Sequence, residues 1–463
     1  MRIIWTLFLM IGALMAKHTS GLQEITINTI SIPVIYEQSG IIPIGHIQLV
    51  FQGGGTLNSS QNLGLSALRN QLLNEGTKTL GSVEFAKALE QKAISLYVSG
   101  GNETLSFQLD YLKEEESRAI QMLGDLLTDP NLTTQALQKS KTAIISQILN
   151  NQDDFDYLAD ELLDSKLFAL TPLAYPKLGT PEQIQSYTLD DIKNSINQAL
   201  QLKRLIIVVG GDIDVSSTLK KLSKILEQLP NGTQYDRLHF TINPTPSTMI
   251  KHAPTKQAYI YFGSPLIVND LAKESYLAKV ASFILGSSGF GSRLMEEVRV
   301  KRGLAYSAYI SFTTRPLVSY ASGYLQTKLE SQDEAIKVVK EVIADFVKNG
   351  VTQKELDAAK SFLLGSEPLR NETLSQRLGA KFIFYYNGLP LDFNATQLQQ
   401  IQNLDLTTLN AYIKQHTEIN NLTFAIITAE AKSAKSKQDS SQSLAKTAKT
   451  PTKSSQKPKK EQK

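Results

Sequence analysis

In a 463-residue chain with no cysteine, side-chain chemistry falls to histidine, carboxylates, arginine and tyrosine. The missing thiols exclude disulfides, thiolate nucleophiles, iron–sulfur clusters and cysteine-held zinc. The histidines, His18, His46, His239, His252 and His416, are scattered so that no two lie within four residues of each other. A His-x-x-x-His pair on one helical face is therefore excluded. Two glycine-rich stretches, Gly53-Gly54-Gly55 and Ser287-Ser288-Gly289-Phe290-Gly291, could cradle an anion, but neither runs into the Gly-Lys-Ser/Thr of a phosphate loop. They read as tight turns.

The elements available to position such residues come in two similar series. With 41% hydrophobic and 20% charged residues the chain can bury a large core. In the first series Ile44 to Phe51 reads as a strand, Leu63 to Leu73 and Val83 to Lys92 as helices, and Thr104 to Leu112 as an alternating, half-buried strand. Helices follow at Arg118 to Leu127, Thr133 to Leu149 and Asp156 to Phe168, and a buried strand at Arg204 to Gly210. The second series offers Ala258 to Phe262 as a strand, Leu271 to Leu285 and Arg293 to Val300 as helices, and Tyr306 to Phe312 with Tyr320 to Gln326 as a strand pair. An apolar stripe from Ala335 to Val347 marks the next helix, and Thr352 with Glu355 predicts a capping box for the one after it. Leu422 to Ile427 matches the strand at Arg204 to Gly210. The expected fold class is α+β, two tandem domains of similar α/β-sandwich fold at 24–240 and 247–430, joined around Asn243-Pro244-Thr245-Pro246.

The two ends differ from this body. An apolar run from Ile3 to Met15 follows Met1-Arg2 and leads to small Ala16, the pattern of a signal peptide over 1–16. It is too short to span a bilayer, and no later run reads as a transmembrane segment. A periplasmic or secreted protein is expected. Residues 431–463 hold ten lysines against Asp439 and Glu461, a local balance of +8, so the +4 of the whole chain leaves −4 on residues 1–430. That acidic body gives no support to nucleic-acid binding. The lysine-rich tail cannot offset ordering entropy by burial and is expected to be disordered, either as a contact for an anionic surface or simply as a solubilising tail.

Three stretches together resemble the pitrilysin/insulinase-like zinc peptidases, in their two-domain bacterial and mitochondrial-processing-peptidase-like branch. They are Gly64-Leu65-Ser66-Ala67-Leu68-Arg69-Asn70-Gln71-Leu72-Leu73-Asn74-Glu75-Gly76-Thr77, then Leu173 to Thr180, and the most specific, Gly289 to Ser307 with its Arg299 and Tyr306. The likeness covers about residues 24–429 and implies a duplicated metallopeptidase-like fold forming half of a clamshell. Active members carry His-x-x-Glu-His on the first helix, whose histidines hold zinc while the glutamate acts as general base, and a third glutamate ligand on a later helix. Here Ala67 stands at the first histidine, Asn70 at the base, Gln71 at the second histidine, and Gln147, 76 residues beyond Gln71, at the third ligand. Neutral amides and a methyl group are poor zinc donors, so no metal is expected in this chain. The Gln71 and Gln147 amides could bond each other across their helices and keep the old site's shape.

In the second domain the resemblance points the other way, because the family's substrate-contacting arginine and tyrosine, seven residues apart, match Arg299 and Tyr306. Arginine offers a fork of donors to peptide carbonyls, and a phenol can donate to an oxygen that gains charge during hydrolysis. The reading this implies is a non-catalytic, substrate-binding subunit of an exported heterodimeric zinc endopeptidase. Zinc would sit in a paralogous partner bearing His-x-x-Glu-His, and the substrate would be an unfolded peptide bound extended, partly by strand addition. The alternative is an inert peptide-binding or structural clamshell protein with no peptidase partner.

Overall fold

A computed structural model describes residues 19–59 and 62–430. The leader at 1–16 and the tail at 431–463 lie outside the described residues. The first half opens with strands β1 (Thr19–Ile27) and β2 (Ile30–Gln38), a hairpin turned through Asn28 and Thr29 with φ of 48° and 72°. Positive φ at both central residues is what a two-residue hairpin turn demands. Next come β3 (Ile44–Gln52), helices α1 (Leu65–Leu73) and α2 (Gly81–Glu90), then β4 (Ser95–Gly100) and β5 (Thr104–Leu112). Helices α3 (Glu116–Thr128), α4 (Thr134–Asn151), α5 (Phe155–Leu167), α6 (Pro181–Ser186) and α7 (Leu189–Ala199) lead to β6 (Leu205–Gly211) and α8 (Val215–Leu226). The sheet order is β1-β2-β6-β3-β5-β4. Central β6 is apolar almost throughout and buried at every residue, because helices cover both its faces.

The second half repeats the series. Strands β7 (Thr248–His252) and β8 (Gln257–Pro265) precede α9 (Leu271–Ser282) and the short α10 (Arg293–Met295), followed by β9 (Ala305–Thr313) and β10 (Tyr320–Lys328). Helices α11 (Gln332–Asn349), α12 (Gln353–Gly365), α13 (Glu367–Arg370), α14 (Leu374–Tyr386), α15 (Phe393–Asn403) and α16 (Leu406–Gln415) lead to β11 (Thr423–Thr428), in a sheet ordered β7-β11-β8-β10-β9. Each half has its own apolar core, with Phe51, Phe107 and Leu222 in the first and Phe262, Phe346 and Phe424 in the second. Thr352 and Glu355 form the capping box. The helix expected to run to Leu285 is α-helical only to Ser282 and continues as a π-helical turn, Phe283–Ser287. There Gly286 lies so close to β9 that an added Cβ would meet the Ile310 nitrogen at 2.8 Å. Among the described residues no helix is long and apolar enough to cross a membrane.

The halves are interlocked by two equivalent helices. α5 leaves the first half to lie on β8 and β11 of the second sheet, and α14 leaves the second half to lie on β2 and β6 of the first. Leu378 of α14 joins Ile35, Val50, Ile206 and Val208 in one cluster, and Leu163 and Leu167 of α5 join Leu317, Val318 and Ala425 in another.

Candidate functional site

Helix α1 starts after Gly64, whose φ of 80° and whose contact with Leu178, 2.3 Å from an added Cβ to the carbonyl oxygen, leave no room for a side chain. Gly179 faces Leu63 in the same way, so the first two motif stretches meet backbone to backbone. Leu65, Leu68, Leu72 and Leu73 bury one face of the helix and leave Ala67, Asn70 and Gln71 half-buried on another. α1 packs on α4, which carries Gln147, but Gln147 is exposed and among the described residues no hydrogen bond joins it to Gln71. The expected amide bridge is not formed. The bonding at this place is instead made by Arg69. Its Nε and Nη2 donate to Asn70 Oδ1 at 3.1 and 2.9 Å, its Nη1 donates to Ser195 Oγ of α7 at 3.3 Å, and Nη2 also reaches the Gly54 carbonyl. Arg69 is 2% exposed, and burial pushes its guanidinium down to about 10, still charged at neutral pH.

The family's zinc does not fit these residues. Ala67 offers no donor, the amides of Gln71 and Gln147 are weak ones, and a buried cation already sits beside the position of the base. Among the described residues no three His, Cys, Asp or Glu side chains are placed to hold a metal. Beside Gln147 lies a cavity of about 450 Å³ lined by Tyr157, Asp160, Glu161, Asp164 and Lys177. Burial, with the neighbouring Asp160 charge, pushes the Asp164 carboxyl up to about 7.

The second-domain pair is built with more care. Ser292 caps α10 by accepting from the Met295 N–H at 3.3 Å and donates to the Gly289 carbonyl at 2.7 Å. Arg293 forks onto Glu355 at 2.6 and 2.9 Å; burial pushes that carboxyl up, but Arg293 and the Thr352 cap outweigh it and hold it at about 2. α10 widens into a π-helical turn, Glu296–Val300, a device frequent at functional sites, and this turn carries Arg299. Gly303, at φ 62°, then turns the chain into β9. Arg299 and Tyr306 are thereby brought together, the guanidinium carbon 4.3 Å from the ring centre. Phe290 also lies against Arg299, its ring centre 4.6 Å from the guanidinium carbon. Phe290 is 68% and Tyr306 81% exposed, so the guanidinium contacts two aromatic rings at the surface. The sequence signal for Phe290 is a large aromatic set between two glycines, Gly289 and Gly291, both with positive φ.

Comparison with known proteins bears on family and fold. The model of the insulinase family, peptidase family M16, matches residues 34–181, and that of the peptidase M16 inactive domain matches residues 186–363. A Helicobacter pylori protein described as the non-peptidase homolog YmxG is 48% identical over 424 residues, 92% of this chain and 98% of that one. The chain belongs to the insulinase (M16) family. Among solved M16 structures, a peptidase M16 inactive domain from Pseudomonas fluorescens superposes with a TM-score of 0.80 at 24% identity, covering 89% of this chain and 98% of the other. The periplasmic protease PqqL from Escherichia coli superposes with a TM-score of 0.72 at 13% identity, covering 90% of this chain but 47% of that protease. The duplicated M16-like fold is thus shared with these proteins.

Proposed function

We propose that this chain is the non-catalytic, substrate-binding subunit of an exported heterodimeric zinc endopeptidase. The observation that carries the reading is the contrast between the two halves: the metal positions of the first are chemically void, while in the second a half-buried Arg299 lies against the exposed Tyr306 and, among the described residues, neither side chain makes a hydrogen bond. The hydrogen-bonding capacity of the guanidinium and the phenol is thus left to a ligand. The half-length match to the E. coli protease fits a design in which two such chains make one enzyme. Its partner is then a paralogous chain with His-x-x-Glu-His and zinc, its substrate an unfolded peptide, and its place the periplasm or the exterior. Arg299 holds the peptide through main-chain carbonyls, and Tyr306 donates to the scissile carbonyl oxygen as charge develops on it. The name of the H. pylori relative supports absence of peptidase activity in this chain alone.

The test is reconstitution. Alone, the mature chain should hold no stoichiometric zinc and cleave no peptide; mixed with a His-x-x-Glu-His partner it should raise peptidase activity. Tyr306→Phe should leave the heterodimer assembled and lower turnover by on the order of 10²–10³-fold. Arg299→Ala should act more on KM, since it removes contacts made before the transition state as well as in it. A double variant that supports the partner as well as wild type does would sink the assignment and leave the inert, architectural reading.

A further inference from the structure

Strand β4 is the outer strand of the first sheet and lies beside α1. It pairs antiparallel with β5 alone, Val98 opposite Phe107, and just beyond it Gly101 N–H bonds the Thr104 carbonyl at 2.9 Å. In an antiparallel ladder successive residues turn their main-chain groups alternately toward the partner strand and away from it. Counting back from Gly101, the groups of Gly100, Val98 and Leu96 face outward, where an added strand would bond. An outward row of this kind is a template for another extended chain.

At Val98 the row is already filled. Asn74 Oδ1 accepts from the Val98 N–H at 2.8 Å, and Asn74 Nδ2 donates to the Val98 carbonyl at 2.8 Å. One primary amide thus makes both bonds that a residue of an incoming strand would make. The amide is itself held, because Nδ2 also reaches the Asn70 carbonyl at 2.9 Å and the Asn74 N–H bonds the Gln71 carbonyl at 3.2 Å. One helical turn earlier, Asn70 lies against Gly100, where an added Cβ would come within 2.2 Å of its Nδ2. Asn70 of α1 and Asn74 at its C-terminal cap, four residues apart, therefore run along the outward edge of β4.

We infer that Asn74 stands in for a peptide strand and closes this chain's own strand-addition site beside the degenerate centre. The ligand class it excludes is an extended, unfolded peptide recognised through its main chain. Closure is a property of this chain alone; the consequence that strand addition falls to the partner's sheet rests on the reading above.

The experiment uses the mature chain without a partner and a fluorescent, unstructured peptide of alternating valine and threonine. Wild type should bind it weakly or not at all, and Asn74→Ala should bind it on the order of ten- to a hundredfold more tightly, the worth of two freed main-chain bonds. The same peptide N-methylated at alternate residues should gain nothing. Asn74→Asp, which keeps the acceptor and loses the donor, should fall between. Equal binding by wild type and Asn74→Ala would overturn the inference. Should Asn74→Ala fail to fold, amide exchange in wild type decides: closure requires Val98 to be protected well beyond Leu96, and equal exchange at the two would overturn it. Neither result touches Arg299 or Tyr306, and a failed reconstitution would leave the closure standing.

Discussion

Helices α5 and α14 hold the same place in their halves and make the same crossing, but they are fastened by opposite electrostatics. Each presses a leucine on a glycine of the sheet it covers: an added Cβ on Gly210 would meet Leu378 Cδ1 at 2.8 Å, and one on Gly263 would meet Leu167 Cδ2 at 2.8 Å. On α14, Arg377 donates from Nε to the fully buried Glu37 of β2 at 2.6 Å, and Lys381 bonds its other oxygen. Burial pushes the Glu37 carboxyl up, but the bonds and charges of Lys381 and Arg377 win and hold it below the usual carboxylate range. On α5 no such cation is engaged among the described residues. Asp156 accepts from Gln326 Nε2 at 2.8 and 2.7 Å and from the Tyr261 hydroxyl at 3.2 Å, while Asp164, further along the helix, is pushed up to about 7. Duplication has kept the geometry of the clasp and exchanged its chemistry.

The largest effect should come from removing the charge that fastens α14. Glu37→Ala leaves Arg377 and Lys381 mostly buried without their anion and should cost about 3–5 kcal/mol, measured by urea unfolding. Equal losses from Glu37→Ala and Asp156→Ala would break the contrast. Asp156→Ala should cost about 1–3 kcal/mol, the loss of hydrogen bonds from neutral Gln326 and Tyr261 to a charged group.

The smallest effect is in the pH profile and sharpens the comparison most. Because the folded-state value of Asp164 lies above its ordinary 3.8, the folded chain binds the extra proton, and this contribution weakens as pH rises from about 4 through about 7. The groups acting on it are Asp160, Lys177 and Glu161, and its own charge acts on Tyr320 of β10. Melting temperature should fall by on the order of a few degrees across that window, and Asp164→Asn should flatten the fall. Glu37 works with the opposite sign: its value is lowered, so its contribution is present above its ordinary 4.5 and is lost only as acid protonates it below that. Asp164→Asn with an unchanged pH slope would remove this half of the comparison.

What could be read in the sequence follows from which signals are local. Thr104–Leu112 was legible to the residue because alternation and burial on one face coincide, and the Thr352 capping box because its partners are three residues apart. The β1–β2 hairpin carries no glycine signal, because Asn28-Thr29 supplies the required turn, and β1 begins at Thr19, ahead of the expected domain start at 24. The crossing of α5 and α14 was not legible at all. An apolar stripe states that a face is buried, not which sheet buries it. The same limit applies at α1, where spacing identified Ala67, Asn70 and Gln71 as altered positions but not that Arg69 would fork onto Asn70 or that Asn74 would reach Val98.

The interlock also sets an order on synthesis. Glu37 meets Arg377 across 340 residues of chain, which at ribosomal speed is roughly 17–70 s of translation. Through that interval the nascent chain carries an anion with no counter-charge and, once Val208 is made, an uncovered apolar face of Ile35, Val50, Ile206 and Val208. Contacts so distant in sequence form late, because loop closure must come first. A chain cut between the halves would leave each fragment with the other's covering helix missing, and such fragments should be recovered in soluble form only when both are produced together.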